Sequence, residues 1–220
     1  MLQNAAGGCS GSKLSREGAQ VLEADHFGDK VLRLRNGNFL KLFRRKRLLT
    51  SAAWLPYAQR FTKNAQILQK LGIPCPQGLA VYRVMHIERD AVYYTPLAGH
   101  TLRQLFDNPE QPPYLHALLG KFVAQLHERG VYFRSLHLGN IVLTPNNTFG
   151  LIDIADLKCQ HRTLSMNKRF RNFQHMLRNE QDKEWLLGEN RIDFLQHYLQ
   201  ESRLDMDIGT LQKHLAAKTR

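Results

Sequence analysis

A chain of 220 residues can bury one large core or two smaller ones, and 43% hydrophobic with 23% charged residues is the composition of a folded rather than a disordered chain. Thirty-one Lys and Arg against 19 Asp and Glu give a formal charge of +12, which favours anionic partners without choosing among nucleotides, phosphorylated sugars, anionic lipids and nucleic acid. Cys9, Cys75 and Cys159 are too isolated for a disulfide framework or a zinc site. No stretch approaches the roughly 20 apolar residues of a membrane span, and no secretory signal opens the chain, so a cytoplasmic setting is expected.

Residues 1–18, rich in Gly, Ser, Ala and Asn and without apolar periodicity, are expected to be a mobile lead-in. From Val31 to Phe43 apolar and polar residues alternate on both sides of Asn36-Gly37, which predicts a β-hairpin. The basic run Lys41–Arg47 reads as a solvated strand end and turn, with nucleic-acid contact as the alternative. Between Ala52 and Leu71 the apolar residues Leu55, Ala58, Phe61, Ala65, Leu68 and Leu71 recur at helical spacing, and Gly72 and Pro74 end the stripe. Two aromatic and β-branched runs, Gly78–His86 and Asp90–Leu97, then predict a second strand pair. The β-rich part is expected to span residues 19–95.

Residues 96–220 read differently. Pro96-Leu-Ala-Gly99 looks like a connector, Tyr114–Arg129 carries a helical stripe, and Gly130 sits where a C-cap glycine belongs. Ile141–Thr144 and Phe149–Asp153 flank a turn at Pro145-Asn146-Asn147, and helices are expected over Arg169–Asn179, Lys183–Leu187, Asp193–Leu199 and Leu211–Ala217. Strands with one helix, followed by helices around one short hairpin, make an α+β protein with halves of unlike class, and a cleft between such halves is a natural ligand site.

One stretch carries chemistry. Phe133-Arg-Ser-Leu-His-Leu-Gly-Asn140 follows the layout H-R-D-L-x-x-x-N of a protein-kinase catalytic loop, and Asp153-Ile-Ala155 falls on the metal-binding D-F-G, thirteen residues beyond Asn140. Asn and Asp oxygens at such positions suit Mg²⁺ held against nucleotide phosphates, so Asn140 and Asp153 are the candidate metal ligands. Taken singly, each has a turn-forming or capping explanation; the matched pair points to a site. Lys41, inside the strand Phe39–Phe43, is the candidate nucleotide-phosphate lysine, with an outward-facing strand lysine as the alternative.

These residues resemble the lipopolysaccharide kinase family of Gram-negative bacteria, the Kdo and heptose kinases, and within it the toluene-tolerance-protein-like branch. Support comes from the Gly-Asn turn before Phe-Leu-Lys-Leu-Phe43, from Lys70–Pro76 (KLGIPCP), from Tyr94–Leu102 (YTPLAGHTL) and from Leu136–Asn140 (LHLGN), over residues 20–180. The resemblance implies a protein-kinase-like fold with a small β-rich and a larger helical lobe. It also implies ATP and Mg²⁺ as cofactors and γ-phosphate transfer to a sugar hydroxyl of lipopolysaccharide core, or of another phosphorylated glycolipid or sugar, at the cytoplasmic side of the inner membrane. A nucleic-acid partner is not expected, since no recognition motif of that class is present.

Three positions depart from the kinase pattern. Ser135 stands in the place of the catalytic aspartate, and a hydroxyl is no base near neutral pH. Asn64 or Gln66 stands where the helix glutamate would pair with the strand lysine, and no G-x-G-x-x-G precedes Lys41. His137 is the candidate substitute base or phosphate donor, and hydrogen bonding to the loop is its alternative role. The two functional expectations are an active phosphotransferase and a pseudokinase that binds nucleotide as a scaffold or regulator.

Overall fold

The computed structural model describes residues 2–4, 18–44, 56–106, 114–188 and 192–217. Outside them lie most of the expected lead-in, the last three residues of the basic run at 45–47, and the first residues of the expected helix at 52–55. The chain divides into two compact units, Met1–Leu97 with Ile154–Asp156, and Ala98–Asp153 with Leu157–Arg220.

In the first unit, β1 (Leu2–Asn4), β2 (Gln20–Asp25), β3 (Gly28–Arg33), β4 (Phe39–Arg44), β5 (Gln77–Val84) and β6 (Arg89–Thr95) form an antiparallel sheet in the order β1-β5-β6-β4-β3-β2. β1 is an element that the sequence reading did not contain. The β3–β4 hairpin is present in the register Val31↔Lys41, Leu32↔Leu40. Its loop is longer than a two-residue Asn-Gly turn: the Leu34 amide bonds the Asn38 carbonyl, and Asn36 Oδ1 accepts the Asn38 amide. Gly37 supplies the positive φ of 81° that this loop needs.

The helix α1 (Tyr57–Lys70) packs on β4, β5 and β6 through Ala58, Phe61, Ala65 and Leu68, the periodic apolar positions. Phe43 stacks on Tyr57, and Tyr94 meets both Phe39 and Phe61. Phe39 and Phe43 therefore lie on the helix-bearing face of the sheet, while Leu32, Leu40, Val84 and Ala91 form a separate cluster on the other face.

The second unit contains the helices α2 (Leu115–Glu128), α3 (Met166–Met176), α4 (Glu180–Leu187), α5 (Asp193–Glu201) and α6 (Ile208–Ala217). Its short strands are β7 (His100–Thr101), β8 (Val131–Tyr132), β9 (Ile141–Leu143), β10 (Phe149–Leu151) and β11 (Lys158–Cys159). β10, β9 and β7 make one sheet and β11 with β8 another. α2 and α5 pack closely at Gly120, where a Cβ would stand 2.2 Å from the Phe194 carbonyl oxygen. The expected start of α4 shifts towards the N-terminus because Asn179 ends no helix. Its side chain instead accepts the Gln181 and Asp182 amides as an N-cap.

A buried polar cluster closes the core. Arg169 pairs with Glu128 at 2.7 Å and donates to the Tyr198 hydroxyl at 3.1 Å and to the Leu164 carbonyl at 2.9 Å; Tyr198 in turn lies 2.9 Å from His127 Nδ1. Antiparallel sheet with one helix, then helices around short hairpins, is the element order of an α+β protein, as expected. Among the described residues no helix is long and apolar enough to cross a membrane.

Candidate functional site

Between β8 and β9, Phe133–Asn140 forms a loop whose apolar residues Phe133, Leu136 and Leu138 are buried while Arg134 is exposed and Ser135 and His137 are half-buried. That alternation anchors the loop and leaves Arg134 exposed. The turns close through Leu136 N to Phe133 O, His137 N to Ser135 O and Asn140 N to His137 O. Two side chains from later helices hold the backbone from beneath: Asn172 of α3 donates to Phe133 O at 2.7 Å, and Asp182 of α4 accepts the Leu138 amide at 3.3 Å.

Asn140 is buried, and its carboxamide is fixed from its own loop. Nδ2 donates to Ser135 O at 2.9 Å and lies 3.2 Å from His137 Nε2. With Nδ2 so engaged, Oδ1 is the atom left for a cation. The Asn140 carbonyl accepts the Ile152 amide at 3.0 Å, which ties the loop to the end of β10 immediately before Asp153. Asp153 is exposed and has φ 54°, a left-handed conformation that non-glycine residues adopt rarely and mostly where the surroundings impose it.

The second unit thus brings Ser135, His137, Asn140 and Asp153 into one short stretch of connected backbone. No group of three or more His, Cys, Asp or Glu side chains able to hold a metal exists among the described residues. One carboxamide and one carboxylate suit a hard cation that takes its remaining ligands from water and substrate phosphates, as Mg²⁺ does.

In the first unit, Lys41 on β4 lies between Val31 and Val92 in register, on the same face as Phe39 and Phe43, with Nζ 5.8 Å from the Phe43 ring. Of the two helix candidates, Asn64 is the inward one: it is buried and Nδ2 donates to the Ile154 carbonyl at 2.7 Å. The turn after β2, Asp25–Gly28, carries no glycine-rich sequence. Arg89 of β6 donates instead to the carbonyls of Phe27 and Asp29.

Sequence reasoning missed Arg103 and Asp182. Arg103 stands on a 3₁₀ turn, Leu102–Leu105, and binds Asp182 bidentately, Nε to Oδ1 at 2.7 Å and Nη2 to Oδ2 at 2.8 Å. These hydrogen bonds raise the guanidinium pKa further. Seventy-nine residues separate the two, and no spacing pattern announces such a pair.

Residues 21–135 match the family model of a phosphotransferase enzyme family, APH. The match covers just over half of the chain and ends at Ser135, before Asn140 and Asp153. No curated protein matches the sequence. Among solved structures, the co-crystal structure of WbdD with the kinase inhibitor LY294002 is similar at 14% identity and TM-score 0.47, over 87% of this chain and 47% of that one. The chain therefore spans about half the length of that structure.

Proposed function

Because this chain belongs to the phosphotransferase enzyme family, we propose that it transfers the γ-phosphoryl group of ATP, with Mg²⁺, to a hydroxyl of a phosphorylated sugar or glycolipid of the lipopolysaccharide-core type. The observation that carries this reading is the fixed Asn140 carboxamide, with Oδ1 available, joined through Ile152 to Asp153 in its left-handed conformation. Bound there, Mg²⁺ would neutralise charge on the donor phosphates. The protein's own part is to orient Asn140 through Ser135 O and His137, and to present Lys41 as a cation for nucleotide phosphate. The acceptor class follows from the sequence resemblance and is supported by the charge of +12.

Ser135 favours a second reading, a pseudokinase that binds nucleotide and regulates or scaffolds envelope assembly. No carboxylate stands there to accept the acceptor's proton, although phosphoryl transfer draws most of its rate from positioning and charge stabilisation. Transfer from γ-labelled ATP to dephosphorylated lipopolysaccharide core, with and without Mg²⁺, separates the two. Mg²⁺-dependent labelling by the wild type that Asp153→Ala abolishes supports the enzyme. An inert wild type that gains activity as Ser135→Asp identifies the pseudokinase, and a chain that neither transfers nor binds MgATP overturns both.

A further inference from the structure

Arg103 is held in an unusual way for a partly exposed arginine. Its side chain is 39% exposed, but the carboxylate that grips it, Asp182, is 0% exposed and engages Nε and Nη2 in a bidentate fork. The same carboxylate accepts the Leu138 amide. One buried group therefore fixes both the catalytic-type loop and the guanidinium beside it. The third nitrogen, Nη1, makes no hydrogen bond among the described residues and is turned to the loop. A Cβ built on Gly139 would lie 3.2 Å from Arg103 Nη1 and 3.2 Å from His137 Nδ1. The guanidinium edge and the imidazole thus overlie the one loop position without a side chain, next in sequence to Asn140.

We infer that Arg103 is an oxyanion-binding residue of this site, which takes a phosphate group through Nη1, and that Asp182 is its positioning residue. The inference rests on the phosphotransferase reading above. A guanidinium pre-oriented by a buried carboxylate loses little side-chain freedom when it meets a second oxyanion, and its planar fork matches phosphate geometry. Asp182 supplies the orientation and is itself too enclosed to repel the ligand at contact. Gly139, without a side chain, lets the guanidinium edge and the imidazole come this close to the loop backbone. The phosphate has two sources, the donor nucleotide and a phosphate carried by the acceptor, and both present the same chemistry to Nη1.

The test is calorimetric titration of the full chain with MgATP and, separately, with inorganic phosphate, comparing wild type, Arg103→Lys and the double variant Arg103→Gln/Asp182→Asn. The double variant keeps hydrogen-bonding groups at both positions and leaves no buried charge unpaired, so it retains the fold where Arg103→Gln alone would strand Asp182. Thermal melting checks this. The expected result is a dissociation constant raised roughly tenfold in both variants, the scale of one lost charge-assisted hydrogen bond. A rise for MgATP assigns Arg103 to the donor phosphates. A rise for inorganic phosphate with MgATP unchanged assigns it to the acceptor. Folded variants that bind both ligands as the wild type does overturn the role of Arg103 and leave the phosphotransferase reading standing. A wild type that binds neither ligand overturns both.

Discussion

At Asp153 the backbone is twisted to φ 54° and the carboxylate is exposed, so the residue contributes little to packing and its replacement is a test of chemistry. Asp153→Ala is expected to lower Mg²⁺-dependent transfer at least about a hundredfold while the melting temperature stays within a few degrees. Activity retained in that variant would remove Asp153 from the site. His127, on α2, offers the opposite kind of residue, fully buried. Burial foremost, and then the Arg169 guanidinium, push its pKa down to about 3, partly offset by hydrogen bonding to Asn172 and by Glu128. The unfolded chain therefore binds a proton below about pH 6.5 that the folded chain refuses, and stability falls as pH drops from there towards 3. The slope expected from His127 is about 1.4 kcal/mol per pH unit once the unfolded imidazole is protonated. Urea unfolding at several pH values, for wild type and His127→Gln, reads it directly; an equal slope in the variant would show that other groups set the acid limit. Burial pushes the two described thiols, Cys75 and Cys159, up to about 11, so both favour the protonated form near neutral pH.

Among the elements, α1 is the one whose sequence departs from kinase practice and whose structure supplies a reason. Asn64 spends its amide on the carbonyl of Ile154, within the same unit, and so ties the helix to the residue that follows Asp153. Asn64→Leu keeps the volume and leaves that carbonyl unpaired in a buried place, at an expected cost of about 1–3 kcal/mol. Guanidinium unfolding measures it, and a variant as stable as the wild type would show the bond to be dispensable. Gly130 is a second element-level constraint: with φ 74° and a Cβ that would stand 2.2 Å from Gln160 O, it lets α2 end against the strand pair β8–β11. The glycine, the apolar stripes of α1 and α2 and the Asn36-Gly37 hairpin were all legible in the sequence, because local periodicity and turn chemistry specify them. The pairings of β7 with β9 and of β8 with β11 were not, since strands of two or three residues carry no period. The loop Phe133–Asn140 was singled out by a spacing of five residues, whereas Asn172 and Asp182, which support it, act through backbone contacts that no spacing encodes.

For the molecule as a whole, the relevant quantity is the charge of +12, carried by a chain whose acidic side chains are already partly used internally, as Glu128 and Asp182 are. An excess of this size raises the local concentration of anionic ligands over distances set by the Debye length, about 30 Å at 10 mM salt and about 8 Å at 150 mM. If the acceptor brings its own phosphates, that long-range attraction contributes to its capture, and screening removes it while contacts at hydrogen-bonding distance persist. The KM for a phosphorylated core acceptor is therefore expected to rise several-fold between 10 and 150 mM salt, and that for the same core stripped of phosphate to change little, with saturating MgATP in both series. Matching salt slopes for the two acceptors would mean that the basic surface serves the donor nucleotide or some other anion, and would move the acceptor class away from phosphorylated glycolipids. A steeper slope for the phosphorylated acceptor would give the surplus of cationic side chains a part in choosing the substrate, one that neither the loop motif nor the family match assigns to it.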